Sequence, residues 1–439
     1  MANTLYSHAF LVGSFNGELN TQGIEKDSRW KRMTLTTEEY SDLYSMYYKS
    51  HIDAIADMPL DVERPARLQC IRHYQSDVAK SVWFCQQIVR EMSIEIKPLT
   101  KYLLNICSIH IYVFPFNTVL FSIEIDESGS ELNELTSAHW LLMTWNWEQF
   151  SPLTKKQLES LLQPLSDYLP EKDVTKLVKH GNKLKLFQVH QLDVNPFDDM
   201  DALLYEIATS SPIGTVHKNC PSTPSHSYYE KMMTEYAVSV FNNWKALAIV
   251  DTFTVISSDA KFNRWPFENL YFPIIYLRCM FEKSFCFSRN NNYRQGKDCI
   301  NLLEEITEME KYYFYDNISF NFLPNLLYQA IAKGLSIKEE REELSKQIKE
   351  SRKEDIRKEK EREEKKKEAE SKRKDRILAG VAIFAVISVM WDFCSIFKDA
   401  IGISESNRSP IPAIAFIILG GILIGWLMFL IFHKRNEEE

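Results

Sequence analysis

Four carboxylates crowd the stretch LDVNPFDDMD: Asp193, Asp198, Asp199 and Asp201. Oxygen donors at that density suit a hard divalent cation. The same acids suit a helix start, because ALLYEIA follows and carboxylates are favoured at the positive end of a helix. A second candidate is GTVHKNCPSTPSH, which places His217, Cys220 and His226 in one polar loop. Cys–His sets of this kind can make a nucleophile or a metal site, and an ordinary polar loop carries the same residues. The third candidate is Asp392, a lone acid inside ISVMWDFCSIF.

Around Asp392 the spacing is regular. Val381, Ala385, Ser388, Asp392, Ser395 and Asp399 follow one another at alternating steps of four and three, so they form one stripe of a helix. The stripe is small or polar, while Ile383, Phe384, Ile387, Met390 and Trp391 occupy the other faces. A carboxylate facing lipid costs about 2.5–3.5 kcal/mol on insertion scales, so Asp392 is expected to face protein or water. If several copies of the helix surround an axis, the stripe lines a wet path with a ring of Asp392, and carboxylate rings attract cations. The alternative is an incidental acid near the outer interface. No GxxxxGK[ST], GxGxxG, HExxH or GxSxG is present, and no enzyme chemistry is expected.

The elements that would position these residues fall into three zones of the 439-residue chain. Residues 1–320 are mixed and aromatic-rich, and read as an α/β sensor or ligand domain. IHIYVFPFNTVLFSIEID predicts two strands joined near Phe116–Asn117, and KALAIVDTFTVIS a strand or strand pair. ELNELTSAHWLLMTWNWEQF, PFENLYFPIIYLRCMFEKSF and CINLLEEITEMEKYYFYDN carry helical spacing. Residues 321–376 predict a long charged stalk helix. Acids and bases recur there at three and four residues with neither Pro nor Gly after residue 336. With Pro324 as a start, one helix is expected from about residue 325 to 397, on the order of 110 Å.

The third zone is apolar. Ile377–Phe397 spans 21 residues and Ile411–Phe432 spans 22, each matching the roughly 20 residues that cross a ~30 Å hydrocarbon core. The expectation is transmembrane helix 1 at 377–397, an outer loop at 398–410, transmembrane helix 2 at 411–432 and a tail at 433–439. Lys372, Arg373, Lys374 and Arg376 precede the first run, and Lys434 and Arg435 follow the second. Positive flanks mark the inner side, which predicts a multi-pass inner-membrane protein with both termini cytoplasmic. The formal net charge of −8 argues against a nucleic-acid binder. The eight cysteines form no CxxC pair and suggest scattered thiols in a reducing compartment.

This layout resembles CorA-type divalent cation channels: an α/β domain, a long helix running into a first span, a short outer loop, a second span and a basic tail. The resemblance implies a homo-oligomer, a pentamer in that family, with the first span lining the pore. The family's Gly-Met-Asn signature is replaced here by WDFCSIFKDAIG. One branch with that departure is the CorA-like protein associated with type III CRISPR defence. Similarity to it implies an antiviral channel gated by a nucleotide second messenger, S-adenosylmethionine joined to AMP (SAM-AMP), with a divalent cation as a possible further ligand. A magnesium transporter and a non-conducting membrane scaffold are the alternatives.

Overall fold

The computed structural model describes residues 3–16, 19–59, 71–84, 102–178, 183–194, 199–218, 223–296, 299–400, 420–422 and 425–426. The chain divides into two compact units, Met1–Arg352 and Lys353–Glu439.

One mixed sheet organises the first unit. Its strands are β1 (Asn3–Asn16), β2 (Lys31–Arg32), β3 (Arg72–Phe84), β4 (Tyr102–Phe114), β5 (Thr118–Asp126), β6 (Lys185–Asp193), β7 (Ala237–Val238), β8 (Lys245–Ala248) and β9 (Thr252–Ser257). The spatial order is β2-β3-β4-β5-β1-β6-β9-β8-β7. Neighbours run antiparallel except β6 and β9, which are parallel. The expected strand pairs are therefore present as β4–β5 and β8–β9. Phe116 and Asn117 carry positive φ at the β4–β5 turn (58° and 55°), as a tight hairpin of this hand requires.

Both faces of the sheet are covered. On one face Phe10, Tyr112, Phe114, Phe187 and Phe253 pack against Phe272, Phe281 and Phe285 of a helical layer. On the other, Leu11, Ile109, Phe121 and Ile123 pack against Leu141, Leu158 and Leu165. Helices at Leu132–Thr144 and Leu277–Arg294 fall where the spacing predicts them. Ahead of the second lies a π-helix, Phe267–Tyr276, with Pro273 inside it. Proline removes a backbone donor and clashes with the carbonyl four residues back, which the wider π turn relieves.

The long helix departs from expectation at its start. A helix at Phe322–Gly334 is followed by a separate one at Ile337–Ala400. Ser336 between them has φ of 53°, which breaks the helical path. A Cβ at Gly334 would lie 2.6 Å from the Ala248 carbonyl oxygen, so this end is pressed against β8.

The membrane expectation is corrected. Among the described residues no helix is long and apolar enough to cross a membrane. That overturns the fold class of an α/β domain, stalk and two-helix transmembrane hairpin of CorA type; the α/β sheet and the long helix are what stand. The physical reason lies in the first run. Ile377–Trp391 carries no charge for 15 residues before Asp392, with Asp375 and Arg376 directly ahead of it. At 1.5 Å per residue that is about 22 Å, short of a ~30 Å core. Residues 401–419, most of 420–432 and the tail lie outside the described residues.

Candidate functional site

A β-bulge builds the most polar cluster on the sheet. In β4 the register shifts between Ile106 and Ser108, so Cys107 is an extra residue. Before it Leu104 and Ile106 face one core, and after it Ile109 and Ile111 face that same core. The one-residue slip turns Ser108, His110 and Tyr112 to the opposite face. There they meet Glu124 of β5, which pairs across from Ser108 on one side and Phe10 on the other. His110 and His8 are its diagonal neighbours, within reach for long side chains.

The resulting contacts run across four strands. His73 Nε2 of β3 lies 2.9 Å from His110 Nδ1. His110 Nε2 lies 2.7 Å from Ser108 Oγ and 3.4 Å from Glu124 Oε2. Ser108 donates its hydroxyl to Glu124. His8 Nε2 of β1 lies 3.0 Å from Glu124 Oε1, and His8 Nδ1 lies 3.6 Å from Glu268 Oε2 of the π-helix. Tyr6 donates to Glu268 Oε1 at 2.7 Å, with the Arg264 guanidinium 3.6 Å above its ring. Side chains of His8, His110 and Glu268 are 10–13% exposed and Glu124 is 22% exposed, so the cluster is enclosed but not sealed.

Its electrostatics separate the histidines. Burial opposes charge on His8, yet hydrogen bonds and negative charge from Glu124 and Glu268 prevail and lift it to about 9. Burial opposes ionisation of Glu124 as well. Hydrogen bonds from His110, His8 and Ser108 override it and hold the carboxyl well below its usual range. His73 moves the other way: burial and the nearby His110 push its pKa well down. It stacks on Tyr112 at 4.4 Å. One end of the row is thus an imidazolium between two carboxylates, and the other is a neutral imidazole among aromatics.

Glu268 connects this cluster to a second one. The π-helix runs directly into Leu277–Arg294. There Arg278, 1% exposed, donates from Nε to Glu282 Oε1 at 2.7 Å, and its Nη1 lies 2.9 Å from His51 Nδ1. It also donates to the Tyr313 carbonyl. Burial pushes the His51 pKa well down and the adjacent guanidinium adds to it, leaving a neutral ring to accept. Five residues on, Lys283 donates to the Leu335 carbonyl at 2.9 Å and pairs with Glu340 in the first turn of the long helix. Arg341 sits 4.5 Å over the Phe314 ring. Ile337, Leu344 and Ile348 are buried in the same core as Phe281 and Tyr313.

The residues picked from the sequence lie elsewhere. Asp199 caps the helix Met200–Ala208, accepting from the Asp201 and Ala202 amides at 3.0 and 3.2 Å. Asp201 pairs with Lys245 at 2.6 Å. Asp193 is exposed at the end of β6, and Asp198 lies outside the described residues. His217 Nε2 is 3.4 Å from Asp199, while exposed His226 pairs with Glu230 at 3.1 Å. Cys220 is outside the described residues. Among the described residues no group of three or more His, Cys, Asp or Glu is placed to hold a metal ion.

Val381, Ala385, Ser388, Asp392 and Ser395 are exposed on the long helix within this single chain, and Ser395 donates to the Asp392 carbonyl at 3.1 Å. Asp399 belongs to that helix, and its side chain is outside the described set. Sequence reasoning missed His8, His73, His110, Glu124 and Glu268. The usable signal was a histidine or glutamate inside strands otherwise apolar, as in CSIHIYVF and FSIEID. Compared with family models, curated proteins and solved structures, the chain matches none.

Proposed function

We propose that Met1–Arg352 is a non-catalytic sensor whose state sets the seat of the long helix, in a self-associating effector that lets ions through a membrane as an assembly, without the two-helix hairpin expected of a CorA-type channel. One observation carries this reading: the long helix starts inside the sensor core. Its first residues are gripped by Lys283, on the helix that continues from Glu268. Packed elements of this kind have discrete arrangements instead of deforming continuously, so a shift at one end is passed along.

Self-association rests on the other end of that helix. Leu378, Phe384, Val389 and Trp391, on either side of the polar stripe, are each 66–77% exposed in the single chain, and large exposed apolar side chains gathered along one helix mark an interaction site. The polar stripe through Ser388 and Asp392 suits the water-facing side of such an assembly. A small cytoplasmic ligand, a nucleotide among those to be tried, is the proposed input. It acts only if its affinity differs between the two seats.

The test is ion release from liposomes containing the full chain, with Lys283→Met beside the wild type. Release by the wild type that changes severalfold in Lys283→Met supports the reading. Tight liposomes with both proteins would remove conductance as the output and favour a scaffold.

A further inference from the structure

We propose that protonated His8 is a latch between the sheet and the π-helix Phe267–Tyr276, and that loss of its proton opens the latch. The proposal deepens the sensor reading by naming the proton as a ligand of this cluster, and the latch itself stands without the effector.

The geometry carries it. His8 lies between two carboxylates on different elements, Glu124 of β5 at 3.0 Å from Nε2 and Glu268 of the π-helix at 3.6 Å from Nδ1. An imidazolium has two N–H donors and serves both. A neutral imidazole has one and turns a lone pair toward the other acid. His8 Nδ1 is buried and makes no hydrogen bond, facing Glu268 at ion-pair distance only, so it is the weaker tie and the one that opens. Glu124 keeps its bond to Ser108 whatever His8 does.

The other charged groups fix the direction of the effect. On the strand of His8, Tyr6 donates to Glu268 and is held protonated by burial and by that bond. On β5, Asp126 pairs across from His8 and accepts from the Ser128 amide and hydroxyl. On β4, His110 and Ser108 reach Glu124 from its far side. On β6 the position across from His8 is Val189, which is apolar. Arg264, ahead of the π-helix, places its guanidinium over the Tyr6 ring. Three acids therefore surround His8 against one guanidinium at the rim. Removing the imidazolium leaves Glu124 and Glu268 facing each other across a neutral ring, with Glu124 held in a strand paired on both sides and Glu268 on the π-helix outside the sheet.

The test is hydrogen exchange of the full chain, corrected for intrinsic rate, from pH 6 to 10.5, in wild type, His8→Gln and Glu268→Gln. The wild type should hold its amide protection over 267–272 to about pH 8 and lose roughly tenfold above pH 9. Both variants should show reduced protection already at pH 7 and no step. Glu268→Gln keeps the side-chain shape and serves if His8→Gln fails to fold. The same pH course in the wild type and the variants overturns the latch. Amides of 337–348 report separately: a step at 267–272 without one there keeps the latch and refutes transmission to the long helix.

Discussion

Two ionic clusters sit under the same helical layer and are built for different purposes. Around Arg278 the cation is a guanidinium, 1% exposed, with Glu282, His51 and the Tyr313 carbonyl as fixed partners. Around His8 the cation is an imidazole, and its two acids stand on separate elements. A guanidinium cannot lose its proton in this setting, whereas an imidazole can. The first cluster is an anchor and the second is adjustable, and one continuous helical stretch, Phe267–Arg294, carries both.

Arg278→Met breaks the comparison from the anchor side. It strands Glu282 without its partner, and breaking a buried pair in this way costs about 3–5 kcal/mol. Denaturant unfolding checks it; a loss under about 1 kcal/mol would mean that the pair is not holding the layer. The adjustable cluster should respond to pH instead. The folded pKa of His8 is raised to about 9, so its contribution is full below the unfolded value near 6.5 and disappears as pH rises through 9. The contribution is at most about 3 kcal/mol. Stability measured from pH 6.5 to 10 should fall in the wild type and stay nearly flat, for this group, in His8→Gln. Glu124 adds an acid limb of opposite sign. Its depressed pKa means stability present above pH 4.5 and lost as pH falls toward the folded value.

Gly334→Ala sharpens the view of the seat. Its Cβ would meet the Ala248 carbonyl oxygen and carbon at 2.6 and 2.8 Å, and overpacking against backbone costs about 1–3 kcal/mol. Thermal unfolding should show the loss, and exchange at 337–348 should rise with it. The smallest effect is expected at an exposed helix cap that belongs to neither cluster. Thr36 and Glu39 form a capping box at the helix Thr37–Met46, and Thr36→Ala should cost about 1 kcal/mol with no change in either pH limb.

Much of the scaffold was readable from local pattern. The apolar, β-branched run around PFN spelled out β4, the place of the turn and β5, while the left-handed backbone of that turn came only from the structure. Helical spacing located Leu132–Thr144 and the charged helix. What escaped was set by features without a local signature. The bulge at Cys107 decides which face His110 points to, and period-two reading across that residue gives the wrong one. Glu124 becomes a hub only because strands far apart in sequence, β1 and β4, flank β5. The break at Ser336 is a single backbone angle. Two of the four acids that looked like a metal site, Asp199 and Asp201, are used as a cap and an ion pair. The first apolar run was read by its overall length, although Asp392 interrupts it.

The central claim is that the state of the His8 cluster reaches the first turns of the long helix. Spin labels at Thr307, exposed on the helix Cys299–Tyr312, and at Glu350, exposed within the first unit, bracket that seat. Their distance should be measured by pulsed electron resonance on the full chain at pH 7 and pH 10. The account predicts a distribution that shifts or broadens by several ångströms at pH 10 in the wild type and shows no pH response in His8→Gln. A single distribution, the same at both pH values in the wild type, would contradict it.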